Sequence, residues 1–554
     1  MLKPGIFIAA ILSCSSAVVA QSTTAGQQLQ QIPPAPQVPR SALDLDLRPR
    51  AVTPPAETPG EAIRVDAVRI TGATLFAPDT LLAASGFVPG RSLTLAEMRA
   101  VAGRISAYYQ ARGYFLAQAY IPEQDVQSGV VTVAVIEGRY GAIEVNNTSR
   151  VADRVVRGRL DGLDSGAIVT AAPLERRLLL LSDLPGVGVR STLTPGSAVG
   201  TSDLIVAVTP GRRMTGSLEA DNAGNRYTGE YRGGGTVNLN NPLGIGDQLS
   251  ARILASDGGL AYGRLAYQLP VGNLTLGAAY AHIRYELGRE FERLDADGAA
   301  DIASVYARYP LLRSREANLY ATGALEAKWF EDRVGLVSSQ SNRNSRTASL
   351  GFDADGRDDL AGGALSTVSA RLTVGELDIT SPFERAIDAA AGRTDGGFGK
   401  LDFSAARLQT IGGPLSLYAS VRGQIAFDNL DTSEKMQLGG AYGVRAYPEG
   451  EAFGDQGVIA TAEARLGLND WITFQPADLR VIAFIDAGVV DFAHDPYFAG
   501  PNRSRRSGFG AGLSAGLVSG LTLSATYAHR LGDERVTSGP DRAGRFWFQV
   551  NQLF

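Results

Sequence analysis

The sequence predicts a membrane β-barrel of about sixteen antiparallel strands, preceded by two small α+β domains. Three observations predict it. From Met214 to the end of the chain, apolar residues alternate with small or polar ones at the period of two that belongs to a strand. The connections between these segments alternate between long and short, and every long one falls on the same end. Ahead of the barrel, between Ile63 and Pro210, a pattern of strands and amphipathic helices occurs twice.

Composition fits this class. At 554 residues the chain exceeds one ordinary domain, and its formal charge of −5 shows no basic excess, so nucleic acid is not an expected partner. Residues 1–20 carry Lys3, the apolar run Ile6 to Leu12 and the small residues Ala17-Val18-Val19-Ala20, the pattern of a cleaved secretory signal. The single cysteine, Cys14, lies inside it. A lipid-bearing Cys14 is the alternative, but it truncates an already short apolar run. With the signal removed, no thiol chemistry is expected. No later apolar run is long enough for a helical span, whereas alternating barrel strands cancel in any hydropathy average.

Residues 21–60 are rich in Gln and Pro and read as a short helix and an extended linker, with plain disorder an equal alternative. The first α+β domain spans 61–138. A strand opens at Val65 and ends at Gly72. Thr94 and Glu97 form a capping box for a helix with Met98, Val101, Ala102, Ile105 and Tyr109 on one face. Gly113 ends it, and strands Tyr114 to Ile121 and Gly129 to Glu137 follow. The second domain, 139–211, repeats the order: a strand at Ala142 to Asn146, helices at Ala152 to Leu160 and Pro173 to Leu184, and strands at Val187 to Leu193 and Asp203 to Val208. The barrel takes 212–554.

In the barrel, Leu521-Thr522-Leu523-Ser524-Ala525-Thr526-Tyr527 alternates cleanly, as do Phe509, Ala511, Leu513, Ala515 and Leu517 with the residues between them. Long polar stretches follow the odd-numbered segments from the fifth onward: 286–299, 331–344, 376–400, 428–456, 489–507 and 531–542. Short turns such as Pro270-Val271-Gly272 and Ser519-Gly520 end the even ones. A soluble sandwich gives no reason for this asymmetry. An outer-membrane barrel does, because its long loops face outward and its turns face the periplasm.

Other signals point to no chemistry. His282, His494 and His529 are scattered, and the run Asp353 to Asp359 lacks the spacing of a calcium loop and reads as a solvated turn. Gly508-Phe509-Gly510-Ala511-Gly512 precedes no helix and cradles no phosphate. Neither a metal nor a cofactor is expected, nor catalysis.

Ala119-Tyr120-Ile121-Pro122-Glu123-Gln124, Val133 to Gly138 and Leu174-Glu175-Arg176 running to Val187 resemble the paired POTRA domains of two-partner-secretion outer-membrane transporters. The resemblance continues at Asp221-Asn222, Thr228-Gly229 and Asn241 to Asp247, which look like the opening hairpin of these barrels. The same turns are also ordinary turn chemistry. The superfamily carries a Val-Arg-Gly-Tyr or Phe motif on a loop that folds into the lumen, where its arginine meets the aspartate of a Phe-x-Asp-x-Gly motif on the wall. Val444, Arg445, Ala446 and Tyr447, in the loop 428–456, match the first except at Ala446, where glycine is usual. Phe484, Asp486 and Gly488 match the second. The resemblance implies an Arg445–Asp486 ion pair, and alanine would be strained if position 446 needs a positive φ. Phe554 resembles the terminal aromatic by which the barrel assembly machinery recognises its clients.

What this implies is an outer-membrane transporter whose periplasmic domains capture one unfolded exoprotein, of adhesin or haemolysin type, and secrete it through the barrel. A barrel-assembly factor is the alternative, and a passive porin the more distant one. The Gln-rich start, Ala25 to Ile32, would be the helix that plugs such pores at rest, although it is short for a stable helix.

Overall fold

The computed structural model describes residues 24–36, 61–126, 128–469, 471 and 477–554. The expected signal, Cys14 and most of the 21–60 linker lie outside the described residues.

In the first domain, strand Ala67–Thr71 runs parallel to Val130–Ile136, which pairs antiparallel with Gln118–Tyr120. Helix Leu95–Gln110 covers this sheet, with Thr94 and Glu97 in a complete capping box. Two expectations change. The strand foreseen from Tyr114 is only Gln118–Tyr120, because the amide of Tyr114 bonds back to the carbonyl of Tyr109 and that of Ala117 to Tyr114, turning the chain first. A further helix, Pro78–Ser85, starts with proline in its first turn and ends on Gly86 in the left-handed region.

The second domain holds Arg139–Asn147, Thr201–Pro210 and Val187–Pro195 in that sheet order, covered by helices Asp153–Arg159 and Ala171–Ser182. Leu174, Leu178 and Leu181, at the spacing of one helix face, are fully buried against Leu204, Val206 and Val208.

The barrel is closed by sixteen antiparallel strands in chain order. They are β1 (Met214–Asp221), β2 (Arg232–Asn240), β3 (Gln248–Ser256), β4 (Ala261–Val271), β5 (Leu274–Glu286), β6 (Ala296–Arg313), β7 (Ala317–Val334), β8 (Ser339–Asp358), β9 (Ala364–Ile379), β10 (Gly396–Gly412), β11 (Leu415–Ala426), β12 (Gln456–Gly467), β13 (Ala477–Asp491), β14 (Arg503–Leu517), β15 (Leu521–Arg530) and β16 (Gly544–Leu553). Alternation sets the two faces: Leu325 and Leu350 point outward and are exposed, while Lys328 and Arg343 point inward and are buried.

The stretch 331–344, expected as a loop, is mostly ladder: Glu331 opposes Asn342 and Val334 opposes Ser339. Above the membrane both faces of a hairpin meet water, so the hydrophobic alternation that marks a strand disappears while its hydrogen bonds continue. The run from Asp353 is not a solvated turn either. It belongs to β8 as far as Asp358, where Asp355 accepts a bond of 2.9 Å from Asn318 Nδ2 and Asp358 one of 2.7 Å from Arg407.

Closure between β16 and β1 rests on five residue pairs, Gln549 with Asp221 through Leu553 with Ser217. The Asn222 side chain extends the seam, donating to the carbonyl of Phe546 at 2.8 Å and accepting from the amide of Phe548 at 2.8 Å. Phe554 pairs its backbone with Gly216 in both directions.

The second domain docks on the periplasmic turns. Asp183 takes a two-pronged bond from Arg313, 2.9 Å on each side. Arg176 donates to the carbonyl of Pro310 at 2.7 Å, and the Ala152 amide to that of Gly244 at 2.8 Å. Gly244 belongs to the Asn241 to Asp247 turn, held by Gly246 N donating to Asn241 Oδ1 and Tyr267 Oη to Asp247 Oδ2, both at 2.8 Å.

Candidate functional site

The connection between β11 and β12 does not rise away from the barrel. A two-residue ladder, Met436–Gln437 against Phe453–Gly454, closes its neck. Beyond the neck, Val444 N bonds to Leu438 O and Tyr447 N to Val444 O, which folds the tip into a compact hook. Val444, Ala446 and Tyr447 are fully buried and pack with Leu438 of the loop and with Ile459, Phe484, Val490 and Ala528 on the inner wall.

Arg445 projects from this hook onto β13. Its Nε and Nη2 each lie 2.8 Å from an oxygen of Asp486, and its backbone amide donates to the same carboxylate at 3.2 Å. Asp486 is fully buried and also accepts from Thr461 Oγ1 at 2.9 Å. The third guanidinium nitrogen of Arg445 reaches Glu463 Oε1 at 2.8 Å. Its carbon sits 3.5 Å from the centroid of the Phe484 ring, and its carbonyl accepts from Trp547 Nε1 at 2.7 Å. Each guanidinium nitrogen and both backbone polar groups of this residue have a partner, and charge, fork and stacking act together in a largely buried site.

Glycines on the wall make room for the hook. A Cβ at Gly508 would lie 2.4 Å from Ala446 Cβ, and one at Gly488 would lie 2.5 Å from Leu438 Cδ1. Gly510 leaves the space that the Phe484 ring fills. Ala446 itself is not among the residues with positive φ, so the strain expected there does not arise. Its methyl group is accommodated by Gly508.

Several holding residues were not foreseen from the sequence. Glu451, fully buried, binds Arg506 at 2.7 Å and takes amide bonds from Thr537 and Ser538, tying the loop base to the β15–β16 connection. Glu434 bridges Lys328 at 2.8 Å and Lys400 at 2.9 Å. Asp431 pairs with Arg343. Alternation could have placed these cations in the lumen, but no spacing rule names a partner a hundred residues away.

A helix, Ala25–Gln30, lies inside the barrel. The Ala25 amide donates to Asp332 at 2.8 Å, Thr228 Oγ1 donates to Gln28 Oε1 at 2.9 Å, and Arg232 and Arg252 donate to the carbonyls of Gln31 and Pro33 at 2.9 and 2.6 Å. A side chain at Gly26 would overlap Ser433 of the loop, within 2.6 Å of its Cβ. Below the helix, a cavity of ≈ 1590 Å³ runs from Leu180 to Val189 of the second domain up to Ile32 and Pro33. Among the described residues no cluster of His, Cys, Asp and Glu could hold a metal.

Comparison with known proteins decides the family. Residues 200–517 match the haemolysin secretion/activation protein family ShlB/FhaC/HecB, and residues 63–138 match the ShlB-type POTRA domain. The chain belongs to the two-partner-secretion transporter family. The transporter is 24% identical over 473 residues to the heme/hemopexin transporter protein HuxB of Haemophilus influenzae, covering 84% of this chain and 82% of that one. It is 26% identical over 522 residues to the outer membrane transporter CdiB of Escherichia coli, covering 89% and 84%. Among solved structures, CdiB from Escherichia coli superposes with a TM-score of 0.70 at 22% identity, covering 91% of this chain and 93% of that one. CdiB from Acinetobacter baumannii gives 0.62 at 18%, covering 95% of both. The transporter is an outer-membrane protein, with its POTRA domains in the periplasm.

Proposed function

We propose that the chain exports one partner exoprotein, of adhesin or haemolysin type, captured unfolded by its periplasmic domains and conducted outward through the barrel. The observation that carries this reading is the cavity that runs from the second POTRA domain into the lumen, stopped by a short helix that is held by hydrogen bonds and by the packing of Ala25 and Leu29 against the wall. Capture by strand addition suits an unfolded chain, because a sheet edge offers main-chain hydrogen bonds with little demand on sequence. In this reading the Arg445–Asp486 pair pins the 428–456 loop against the wall so that it does not obstruct or wander through the emptied pore, and Phe554 presents the barrel to its assembly machinery. In this reading, folding of the cargo outside supplies the driving force.

The test is a quantitative comparison of secreted and outer-membrane proteins in cells with and without the gene. One large exoprotein should disappear from the medium while the membrane profile stays constant. Broad loss of outer-membrane barrels would overturn the exporter in favour of an assembly factor, and no change in either would favour a pore for small solutes.

A further inference from the structure

Two sets of lumen cations differ in their partners. Arg232, Arg252, Lys328, Arg343 and Arg445 all have carboxylate partners at the helix or loop contacts. Arg264, Arg308 and Arg371 have none among the described residues, and all three line the cavity below the helix. Alternation points them inward: their neighbours Leu265, Tyr309 and Leu372 are exposed on the outer face.

Their placement is ordered. Arg308 opposes Thr322, Thr322 opposes Gly351, and Gly351 opposes Arg371, so two of the three lie in one row of the ladder. Three strand spacings separate them, about 14 Å of wall. The Arg308 guanidinium stacks 3.5 Å from the centroid of the Tyr320 ring, which holds it against the wall while its edge stays free. Arg264 sits on β4, opposite Ala281. The nearby acids are mostly engaged: Glu326 with Lys328 at 3.2 Å and Asp183 with Arg313 at 2.9 Å. Asp402, across the ladder from Arg371, is 3.9 Å from Lys400, and Asp353 on β8 faces the same lumen. Arg212, at the entrance, adds to the positive side. The balance of unpaired charge is positive.

We infer that Arg264, Arg308 and Arg371 make this vestibule selective for acidic polypeptide. This rests on the exporter reading and names its cargo class: a chain whose exported segments carry an excess of Asp and Glu. A fixed positive charge in a water-filled cavity with low-dielectric walls focuses its field on whatever enters. An extended chain rises about 3.3 Å per residue, so about four residues span the Arg308–Arg371 row. Acidic side chains two residues apart can pass from one guanidinium to the next, and several weak sites in series favour entry without arrest. A basic chain meets net repulsion there.

The test uses full-length protein carrying Gly26→Leu, which pushes the helix off Ser433, in planar bilayers under a KCl gradient. The open pore should pass chloride over potassium by roughly threefold or more, as fixed charge in a channel imposes. Gln at positions 264, 308 and 371 together should bring the ratio near one, and Lys at all three should preserve it. A twenty-residue oligoglutamate, fluorescein-labelled, should bind the detergent-solubilised wild type by anisotropy, a measurement that needs no conducting state, and oligolysine should not. Preference for potassium, a ratio unchanged by the Gln substitutions, or equal binding of both peptides would overturn the inference. Loss of an exoprotein from the deletion strain is read separately, so an exporter with a cation-selective pore refutes this proposal alone.

Discussion

At the scale of single residues, Arg445 shows why arginine and not lysine occupies the hook. Its two-pronged contact with Asp486, its third nitrogen on Glu463 and its stacking on Phe484 need a planar group with separated donors. Breaking a buried pair costs about 3–5 kcal/mol when one charge is left behind. That cost falls on the loop, since the sixteen-strand ladder does not pass through it. Arg445→Ala and Asp486→Ala are therefore expected to leave a folded, heat-modifiable barrel in the membrane while secreted cargo drops roughly tenfold or more, with Arg445→Lys closer to the alanine variant than to wild type. Full secretion by Arg445→Ala would refute the pinning role. In the first domain, Glu137 plays a comparable part. It accepts from the amides of Thr74 and Leu75, at 2.6 and 2.8 Å, and from Tyr109 Oη at 2.9 Å. Burial pushes its pKa up, but these bonds together with the Thr74 hydroxyl outweigh burial and leave it below 4.5. A folded-state value below the unfolded one means that its stabilisation is complete above the unfolded pKa and is lost as pH falls through the folded one. Hydrogen exchange at Thr74 and Leu75 should show Glu137→Gln opening more easily by about 1–3 kcal/mol at neutral pH, and the difference should shrink as pH falls below the usual carboxylate range.

At the scale of elements, the loop and the wall strand were shaped for each other. Among the alternating glycines of β14, Gly508 sits where Ala446 needs room and Gly510 where the Phe484 ring lies. Gly508→Val should lift the hook and lower export, while Gly508→Ala combined with Ala446→Gly should export better than Gly508→Ala alone. Strictly additive losses in that double variant would show that the two positions do not share the space. This complementarity was out of reach of sequence reading. The alternation of β14 and the Val444 to Tyr447 and Phe484 to Gly488 motifs are local patterns and are legible as such. That Gly508 answers Ala446, that Glu463 takes the third nitrogen of Arg445, or that Glu451 ties the loop base to β16's connection depends on register across strands distant in sequence. The fold was more legible because barrel topology needs only period and turn length. It failed where those signals fade: in 331–344, where the hairpin leaves the membrane, and at Pro78–Ser85, eight residues too short to show a period.

At the scale of the whole molecule, the transporter places three bodies in line: domains docked to the turns, a vestibule above them, and a helix and loop that fill the lumen. The docking side is braced by Arg313 with Asp183, whereas the helix is held by single hydrogen bonds, several to backbone groups, and by the packing of Ala25 and Leu29 beside Ile283, Ile302 and Phe330. The hydrogen bonds are individually worth about 0.5–1.5 kcal/mol and replaceable by water, which suits a stopper that must leave and return. If departure of the helix precedes export, fixing it in place must stop transport without disturbing assembly. Gln28 and Thr228 meet at 2.9 Å, and the only cysteine of the chain lies in the segment expected to be cleaved, so Gln28→Cys with Thr228→Cys gives one thiol pair across this contact. Oxidised, the variant should insert normally, conduct no ions and release no cargo. Reduction should restore both within the same cells, which separates a closed pore from a misfolded one. Undiminished export by the oxidised protein, with the cross-link verified by mobility, would mean that cargo passes beside the helix and that the lumen is never cleared.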